Sequence, residues 1–342
     1  MKIGLLTGGG DCSGLNAIIR AVVRKSISLG YHVTGIRSGW QGLIDADAQP
    51  LTMNSVSGIL SRGGTILKTS RTNPLKTPGG MSTVIKNLRK LRINALVAVG
   101  GDDTLGVALA LYKKRVKVVG VPKTIDNDLS CTDFTTGFDT SINIVTDALD
   151  RLHSTAESHH RTMVVEVMGR HAGWIATMGG IAGGADCILV PEEPFSIKEV
   201  CRLLKKRHRR GRDFSIVVVA EGAKPAERER LIVQSKDRDP FGHVQLGGIG
   251  HILAEDIKKC TGFDTRVVVL GHVQRGGTPT AFDRVLGTRL GVKAVELIEE
   301  RKFGQMVALQ GNQIVSVSLE KAVGQLNKVD RELFEVARLF FG

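Results

Sequence analysis

Short apolar runs that end in loops of glycine and charged residues place the strongest constraint on this chain. Residues 2–7, 31–38, 95–99, 117–121, 162–167, 186–190, 214–220 and 266–270 each have the length and apolar density of a buried strand. Between them lie segments with helical spacing, such as Leu15 to Ser28, where Ile18, Ile19, Val22 and Val23 share a face. Strand and helix in alternation predict an α/β fold of doubly wound, mostly parallel sheets. Open sheets of this kind bind ligands at the carboxyl ends of their strands. The loops after the strands are therefore where function is to be read.

Two of these loops carry acidic pairs. Ala95 to Val99 runs into Gly100-Gly101-Asp102-Asp103-Thr104, and Lys117 to Val121 runs into Pro122-Lys123-Thr124-Ile125-Asp126-Asn127-Asp128. In strand-like geometry Asp126 and Asp128 face the same way, into one cleft. The loop Gly8-Gly9-Gly10-Asp11-Cys12-Ser13-Gly14 sits between a strand and a helix. That arrangement aims backbone N–H groups at a phosphate, and a tight turn needs the same glycines. It matches neither the Walker pattern nor GxGxxG. The stretch Ser61 to Arg71 offers close backbone approach at Gly63-Gly64 and a fork donor in Arg71. Three later strands end in Met168-Gly169-Arg170-His171-Ala172-Gly173-Trp174, in Glu221-Gly222, and in Gly271-His272-Val273-Gln274-Arg275-Gly276-Gly277-Thr278. Arg275 to Thr278 echoes Arg62 to Thr65 without implying a duplication. Trp40, in a turn between Gly39 and Gly42, reads as a packing residue. Residues 223–250 break the alternation and read as a polar insertion with turn chemistry.

A chain of 342 residues buries a sizeable core and is expected to form two domains. Its net charge of +13 asks for anionic partners, nucleic acid or phosphorylated metabolites. Only 4% of residues are aromatic, which leaves few platforms for stacking bases. The densest basic run, Lys205 to Arg212, reads as a solvated helix end or as an anion site. The five cysteines are scattered and form no CxxC. They are expected to be reduced thiols of a cytoplasmic protein. No apolar run reaches membrane-spanning length, and because residues 1–7 read as a strand from the outset, no secretory leader is expected.

The strand-end loops collect Arg71, Lys123, Arg161, Arg170, Arg266, His272 and Arg275 beside Asp102, Asp103, Asp126, Asp128 and Glu221. No GxSxG, HExxH or zinc spacing accompanies them. Cationic clamps, carboxylates and glycine cradles together fit phosphoryl transfer to an alcohol. In such a reaction one carboxylate accepts the hydroxyl proton and others hold Mg2+.

With these residues in view, the chain resembles the phosphofructokinase family over nearly its whole length. The motifs are GGDDT (100–104), PKTIDND (122–128), SHHR (158–161), MGRHAGW (168–174) and GHVQRGG (271–277), in that order. The resemblance implies two Rossmann-like domains with the active site in the cleft between them. One would span 1–137 plus about 274–324 and carry the phosphoryl donor and Mg2+. The other would span 138–273 plus about 325–342 and carry fructose 6-phosphate. It further implies transfer to the 1-hydroxyl of that sugar. Asp126 matches the base, with Thr124, Asp128, Lys123, Asp103 and Arg170 around it. Asp102 matches the Mg2+ position. Met168, Gly169, Arg170 and Glu221 match sugar-binding positions, and Arg161, Arg266, His272 and Arg275 match the grip on the sugar phosphate. Gly10, Arg71, Asp102, Asp103 and Thr104 match the donor side. In this family Arg161 and Arg266 come from a neighbouring subunit, which implies a homodimer or homotetramer with shared sites.

Two positions depart from the ATP-using pattern. Asp103 and Lys123 stand where those members have glycine, in GGDGS and PGTIDND. A carboxylate near the α-phosphate of ATP adds bulk and like charge, and a lysine beside it offsets that charge and holds a compact donor. The pair resembles the pyrophosphate-dependent form of the short bacterial subgroup, which also carries the 223–250 insertion. ATP, alone or beside pyrophosphate, is the alternative donor, and a basic polyanion-binding protein without catalysis is the distant one. Arg20 and Arg24 match effector-pocket positions, but His153 replaces an arginine there, so weak or no allosteric response is expected. Neither nucleic acid nor membrane is expected as a partner.

Overall fold

The computed structural model describes residues 1–226, 233–238, 240–242 and 244–342. The first part of the chain lays down β1 (Lys2–Thr7), α1 (Leu15–Ser28), β2 (His32–Ile36), α2 (Gly39–Asp45), β3 (Ala48–Leu51), α3 (Gly80–Lys90), β4 (Ala95–Gly100), α4 (Asp102–Lys113) and β5 (Val118–Pro122). The middle part forms α5 (Phe138–Ser158), β6 (Thr162–Val167), α6 (Trp174–Ala182), β7 (Cys187–Leu189), α7 (Ile197–Arg209) and β8 (Ser215–Ala220). A hairpin of β9 (Val233–Arg238) and β10 (Val244–Leu246) follows, then α8 (Ile249–Thr261) and β11 (Thr265–Val269). The chain closes with α9 (Ala281–Glu299), β12 (Gln305–Gln310), β13 (Gln313–Ser318), α10 (Leu319–Ala322) and α11 (Arg331–Arg338).

Two sheets organise the molecule, as the alternation predicts. The larger runs β13-β12-β5-β4-β1-β2-β3. Its five inner strands are parallel and both edge strands are antiparallel. The smaller runs β11-β6-β8-β7 and is parallel throughout. Every residue of β4 (ALVAVG) and of β8 (SIVVVA) is buried, the signature of strands covered on both faces. Side-chain alternation divides the core accordingly. Ile3, Leu5, Val97 and Val121 face α1 and α9, in a cluster that continues through α5 and α6 onto the smaller sheet. Leu6, Leu96, Ala98 and Met306 face α2, α3, α4 and α10, while Val164, Val217 and Val219 face α7 and α8.

Strand order reverses once in each sheet. In the larger, the chain builds outward from β1 through β2 and then places β4 on the other side of β1. In the smaller, it runs from β6 to the edge strand β7, returns to place β8 between them, and then places β11 on the other side of β6. Crevices open at such reversals. The loops that flank them are the glycine loop after β1, the acidic loop after β4, the 168–174 loop and the 271–277 loop.

Three expectations are corrected. The insertion is not turns alone, because β9 and β10 pair antiparallel within it; residues 227–232, 239 and 243 lie outside the described residues. Trp40 lies in the helix α2 rather than in a turn, and at 1% exposure it packs as expected. Cys201 and Cys260 form a disulfide between α7 and α8, with Cα atoms 6.4 Å apart. Helix phase brings these two thiols to facing positions, while Cys12, Cys131 and Cys187 remain free. The basic run ends α7 largely in solvent, except that Arg207 pairs with Asp186 at 3.0 Å and stacks over Phe214. No described helix is long and apolar enough to cross a membrane.

Candidate active site

The glycine loop after β1 is supported from below. Lys123 is 3% exposed, and its ammonium donates to the carbonyls of Gly8 (2.9 Å) and Gly10. Burial lowers its pKa to about 8, a shift that Arg275 reinforces and that Asp11 and Asp126 oppose. From the side, the Gly8 and Gly9 N–H groups donate to Val99 and Ser70 carbonyls at 2.9 and 3.1 Å. Ser13, at the end of this loop, and Asn16, in the first turn of α1, then tie it to two others. Ser13 donates to the Gly276 and Gly277 carbonyls, and Asn16 donates to those of Arg62 and Gly63. The echoing segments thus meet: a Cβ on Gly63 would lie 2.1 Å from the Gly277 oxygen. Arg275 reaches over the loop to the Asp11 carbonyl at 3.3 Å, against Gly10, where a side chain would collide with its guanidinium at 2.6 Å.

The loop after β5 turns rather than staying extended. Asn127 adopts a left-handed conformation, φ 51°. Its amide donates to the Asp133 carbonyl and accepts from the Thr135 N–H and hydroxyl, which fixes the turn. Thr124 accepts from the Asp126 N–H at 3.1 Å. Asp126 and Asp128 are thereby folded onto one another. Burial first, and then the Asp126 charge, push the Asp128 carboxyl up to about 7, although the Thr124 hydroxyl donates to it. Asp126 Oδ1 is buried and has no hydrogen-bond partner.

The smaller sheet faces this loop with its own strand ends. Glu221 follows β8, and Gly222 beside it donates to the Gly169 carbonyl, which holds Glu221 against the Met168–Arg170 turn. Burial raises the Glu221 carboxyl to about 7; Asp126 adds to the shift and Arg170 and Arg275 oppose it. The charge of Asp126 therefore bears on Asp128, Glu221 and Lys123 alike, which places it at the centre of the cluster. Asp102 and Asp103 open α4. Asp102 accepts from the Gly324 N–H at 2.8 Å, and its charge reaches Asp128.

The sequence profile described as Phosphofructokinase matches residues 2–298. The chain belongs to the phosphofructokinase family. It is 55% identical over 344 residues to the pyrophosphate–fructose 6-phosphate 1-phosphotransferase of Amycolatopsis mediterranei (strain S699), with 100% of both chains covered. It is 49% identical over 344 residues to the ATP-dependent 6-phosphofructokinase of Corynebacterium efficiens, covering 100% of this chain and 99% of that one. Among solved structures it is similar to the phosphofructokinase of Saccharomyces cerevisiae, with a TM-score of 0.80 and 33% identity. That match covers 98% of this chain and 46% of the yeast chain, so this protein spans about half the length of the yeast one.

Of the positions that match phosphofructokinase motifs, Gly10, Lys123, Thr124, Asp126, Asp128, Met168, Gly169, Arg170, Glu221, His272 and Arg275 lie on loops at the carboxyl edges of the two sheets. Asp102 and Asp103 lie at the start of α4, at the same edge. Thr104 is 1% exposed, its side chain packed against Gly8 and Gly100, so it shapes the glycine loop from beneath. Arg71 lies exposed in the segment that follows Thr65 to Ser70. The Lys123 ammonium points under the glycine loop, a different placement from the expected one beside Asp103. Arg161 and Arg266 stand apart. Both pair with Asp264, at 2.8 and 2.9 Å, at the amino-terminal edge of the smaller sheet. The six residues of β6 separate that edge from Met168, roughly 20 Å at about 3.3 Å per residue.

Three residues escaped the sequence reading. Asn127 fixes the turn; its place between two aspartates was the available signal. Glu166, 3% exposed within β6, accepts from the Gly248 and Gly250 N–H groups and anchors the start of α8. Asn327 reaches the Asn127 carbonyl from the far end of the chain, at 3.0 Å, and no local pattern announces it.

Proposed function

We propose that this protein transfers a phosphoryl group reversibly from pyrophosphate to the 1-hydroxyl of fructose 6-phosphate, forming fructose 1,6-bisphosphate and orthophosphate. The observation that carries the proposal is Asp126, whose Oδ1 is buried without a partner amid Asp128, Glu221 and Lys123. A carboxylate oxygen kept dry and unpaired at a strand-end crevice is suited to accept a proton from a bound hydroxyl.

In this reading Asp126 takes the proton as the sugar oxygen attacks the terminal phosphorus and the bridging P–O bond breaks. Met168, Gly169 and Glu221 hold the sugar. Arg170 faces the charge that develops on the transferring group. His272 and Arg275 grip the 6-phosphate, joined by Arg161 and Arg266 of a second copy, because the latter two cannot reach the same site within one chain. The lobe of the larger sheet carries the donor at the loops of Gly10, Arg71 and Asp102–Thr104, and that of the smaller sheet carries most of the sugar site.

A divalent cation fits the acid cluster. Asp128 is driven up in pKa by burial first and then by the charges of Asp126 and Asp102, and a cation would relieve the repulsion among the three. Among the described residues no three ligating side chains converge to enclose a metal. Mg2+ takes one or two carboxylates and completes its shell with phosphate oxygens and water. Asp102 would hold it, with Asp126 and Asp128 nearby. When bound, Mg2+ supplies positive charge against the donor phosphates.

Two features favour pyrophosphate. Asp102 and Asp103 already occupy the first turn of α4, so its positive end gives no help to a further phosphate of a nucleotide. Lys123 fills the space under the glycine loop and fixes its height from below. The Amycolatopsis relative supports the same donor. ATP is the second reading, favoured by the Corynebacterium relative at 49% identity.

The direct test is Asp126→Asn, which keeps the shape and removes the base. Turnover of fructose 6-phosphate should fall about a hundred- to ten-thousand-fold with KM for the sugar changed little. Near-normal turnover would remove Asp126 from the role.

A further inference from the structure

After α10 the chain leaves the larger sheet, crosses the mouth of the cleft, and packs α11 against the smaller sheet. The crossing segment, residues 324–329, touches working parts on both sides. Gly324 donates to Asp102 Oδ1 at 2.8 Å, Ser130 donates to the Gln325 carbonyl at 2.9 Å, and Leu326 bridges Leu129 in antiparallel fashion. Asn327 makes the densest set. Its N–H donates to the Asp128 carbonyl (2.9 Å) and its Nδ2 to the Asn127 carbonyl (3.0 Å), while its own carbonyl accepts from Trp174 Nε1 (2.8 Å). Two residues on, the Val329 N–H donates to Glu192 Oε1 at 3.0 Å, and the same carboxylate accepts from the Gly173 N–H.

These bonds close a ring from the 126–128 turn through Asn327 to Trp174 and Gly173, then through Glu192 back to Val329. The turn belongs to the larger sheet. Trp174 opens α6 of the smaller one, four residues after Arg170. Apart from the ring, the two loops are linked through apolar packing of α5, which follows the turn, on α6, with Phe138 against Trp174; the ring is the polar tie between them. We infer that Asn327 is a positioning residue that fixes the reach between the base Asp126 and the sugar-side turn at Arg170, with the 324–329 segment as a strut across the cleft. This rests on the reaction proposed above. An asparagine suits the position because its two N–H donors, one on the main chain and one on the side chain, meet consecutive carbonyls that the left-handed Asn127 turns to one side.

The test compares wild type with Asn327→Ala, Asn327→Leu, Trp174→Phe and, as a control, the exposed Lys328→Ala. Two measurements are made on each: steady-state kinetics with fructose 6-phosphate, Mg2+ and pyrophosphate or ATP, and amide hydrogen exchange of residues 124–129 without substrate. Asn327→Leu keeps the side-chain bulk and removes the donor, and Trp174→Phe keeps the ring against Phe138 and removes its N–H. Each of the three variants should lose about 10- to 100-fold in kcat, keep KM for the donor within about threefold of wild type, and speed exchange at 124–129. Lys328→Ala should match wild type in both. If wild type is active, kcat in Asn327→Ala and Asn327→Leu within about twofold of it overturns the inference. If wild type turns over no fructose 6-phosphate with either donor, the functional reading fails instead. Exchange then decides the strut by itself, and unchanged protection at 124–129 in the variants overturns it.

Discussion

Lys123 carries its charge inward, and that sets a testable limit on catalysis. Its ammonium is buried under the glycine loop and its pKa is lowered to about 8, chiefly by desolvation. Five residues on in the same loop, burial first and then the Asp126 charge push the Asp128 carboxyl up to about 7. The signs oppose each other. In the proposed mechanism the acid must lose its proton to support the base and a cation, which happens as pH rises through about 7. The lysine loses the proton that ties it to Gly8 and Gly10 as pH rises through about 8. The profile of kcat/KM, which reports the free enzyme, should therefore be a narrow bell with limbs near these two values. Lys123→Met should remove the alkaline limb and leave the acid one. Initial rates across the pH range check this; an alkaline limb unchanged in Lys123→Met would show that Lys123 does not set it.

Between residue and molecule, the loops do their work in contact with one another. The two Arg-Gly-Gly-Thr segments touch through Gly63 and Gly277, and Ser13 and Asn16, either side of the start of α1, clasp both. That contact seats Arg275 over the glycine loop. Gly63→Ala places a methyl carbon 2.1 Å from the Gly277 oxygen, so the loops must part. Overpacking of this kind costs about 1–3 kcal/mol, and displaced Arg275 should raise KM for fructose 6-phosphate about tenfold or more. Thermal melts and saturation curves measure both; wild-type values would show that the contact is dispensable. Strands such as β4 and β8 were legible in the sequence because burial on both faces makes them continuous apolar runs. β3 was not, since AQPL holds a proline at a sheet edge, and β12 was not, since a short apolar run between glutamines gains its place only by pairing with β5 and β13. The site was legible where chemistry is concentrated in one loop, as in residues 122–128. It was illegible where a distant main chain supplies the partner: Asn327 and Asn127 are 200 residues apart. The disulfide was illegible for the same kind of reason, because only the packing of α7 on α8 brings Cys201 to Cys260.

At the scale of the whole molecule, the proposed division of labour between the two sheets would leave the sugar-phosphate grip of one chain incomplete. Arg161 and Arg266 sit on the far edge of the smaller sheet. Exposed apolar side chains lie at the opposite, carboxyl edge of that sheet, at the end of β11 and on the elements that follow it: Val269, Val273 (61% exposed), Phe282 and Val285. A second copy docked over them would bury this surface and supply the missing arginines. Asp126→Asn and Arg161→Ala, each nearly inactive alone, should recover part of wild-type turnover when their subunits are exchanged into hybrids, because one site of a hybrid is intact. No recovery in verified hybrids would place Arg161 outside the partner's site. The account as a whole rests on the transfer to fructose 6-phosphate and on the donor. The measurement that tests it most directly is forward turnover of fructose 6-phosphate with Mg2+ and either pyrophosphate or ATP, side by side, on wild type and on Asp103→Gly/Lys123→Gly. Wild type should turn over with pyrophosphate and far more slowly with ATP, and the double variant should shift toward ATP. Robust turnover with ATP and none with pyrophosphate in wild type, or no turnover with either, would contradict it.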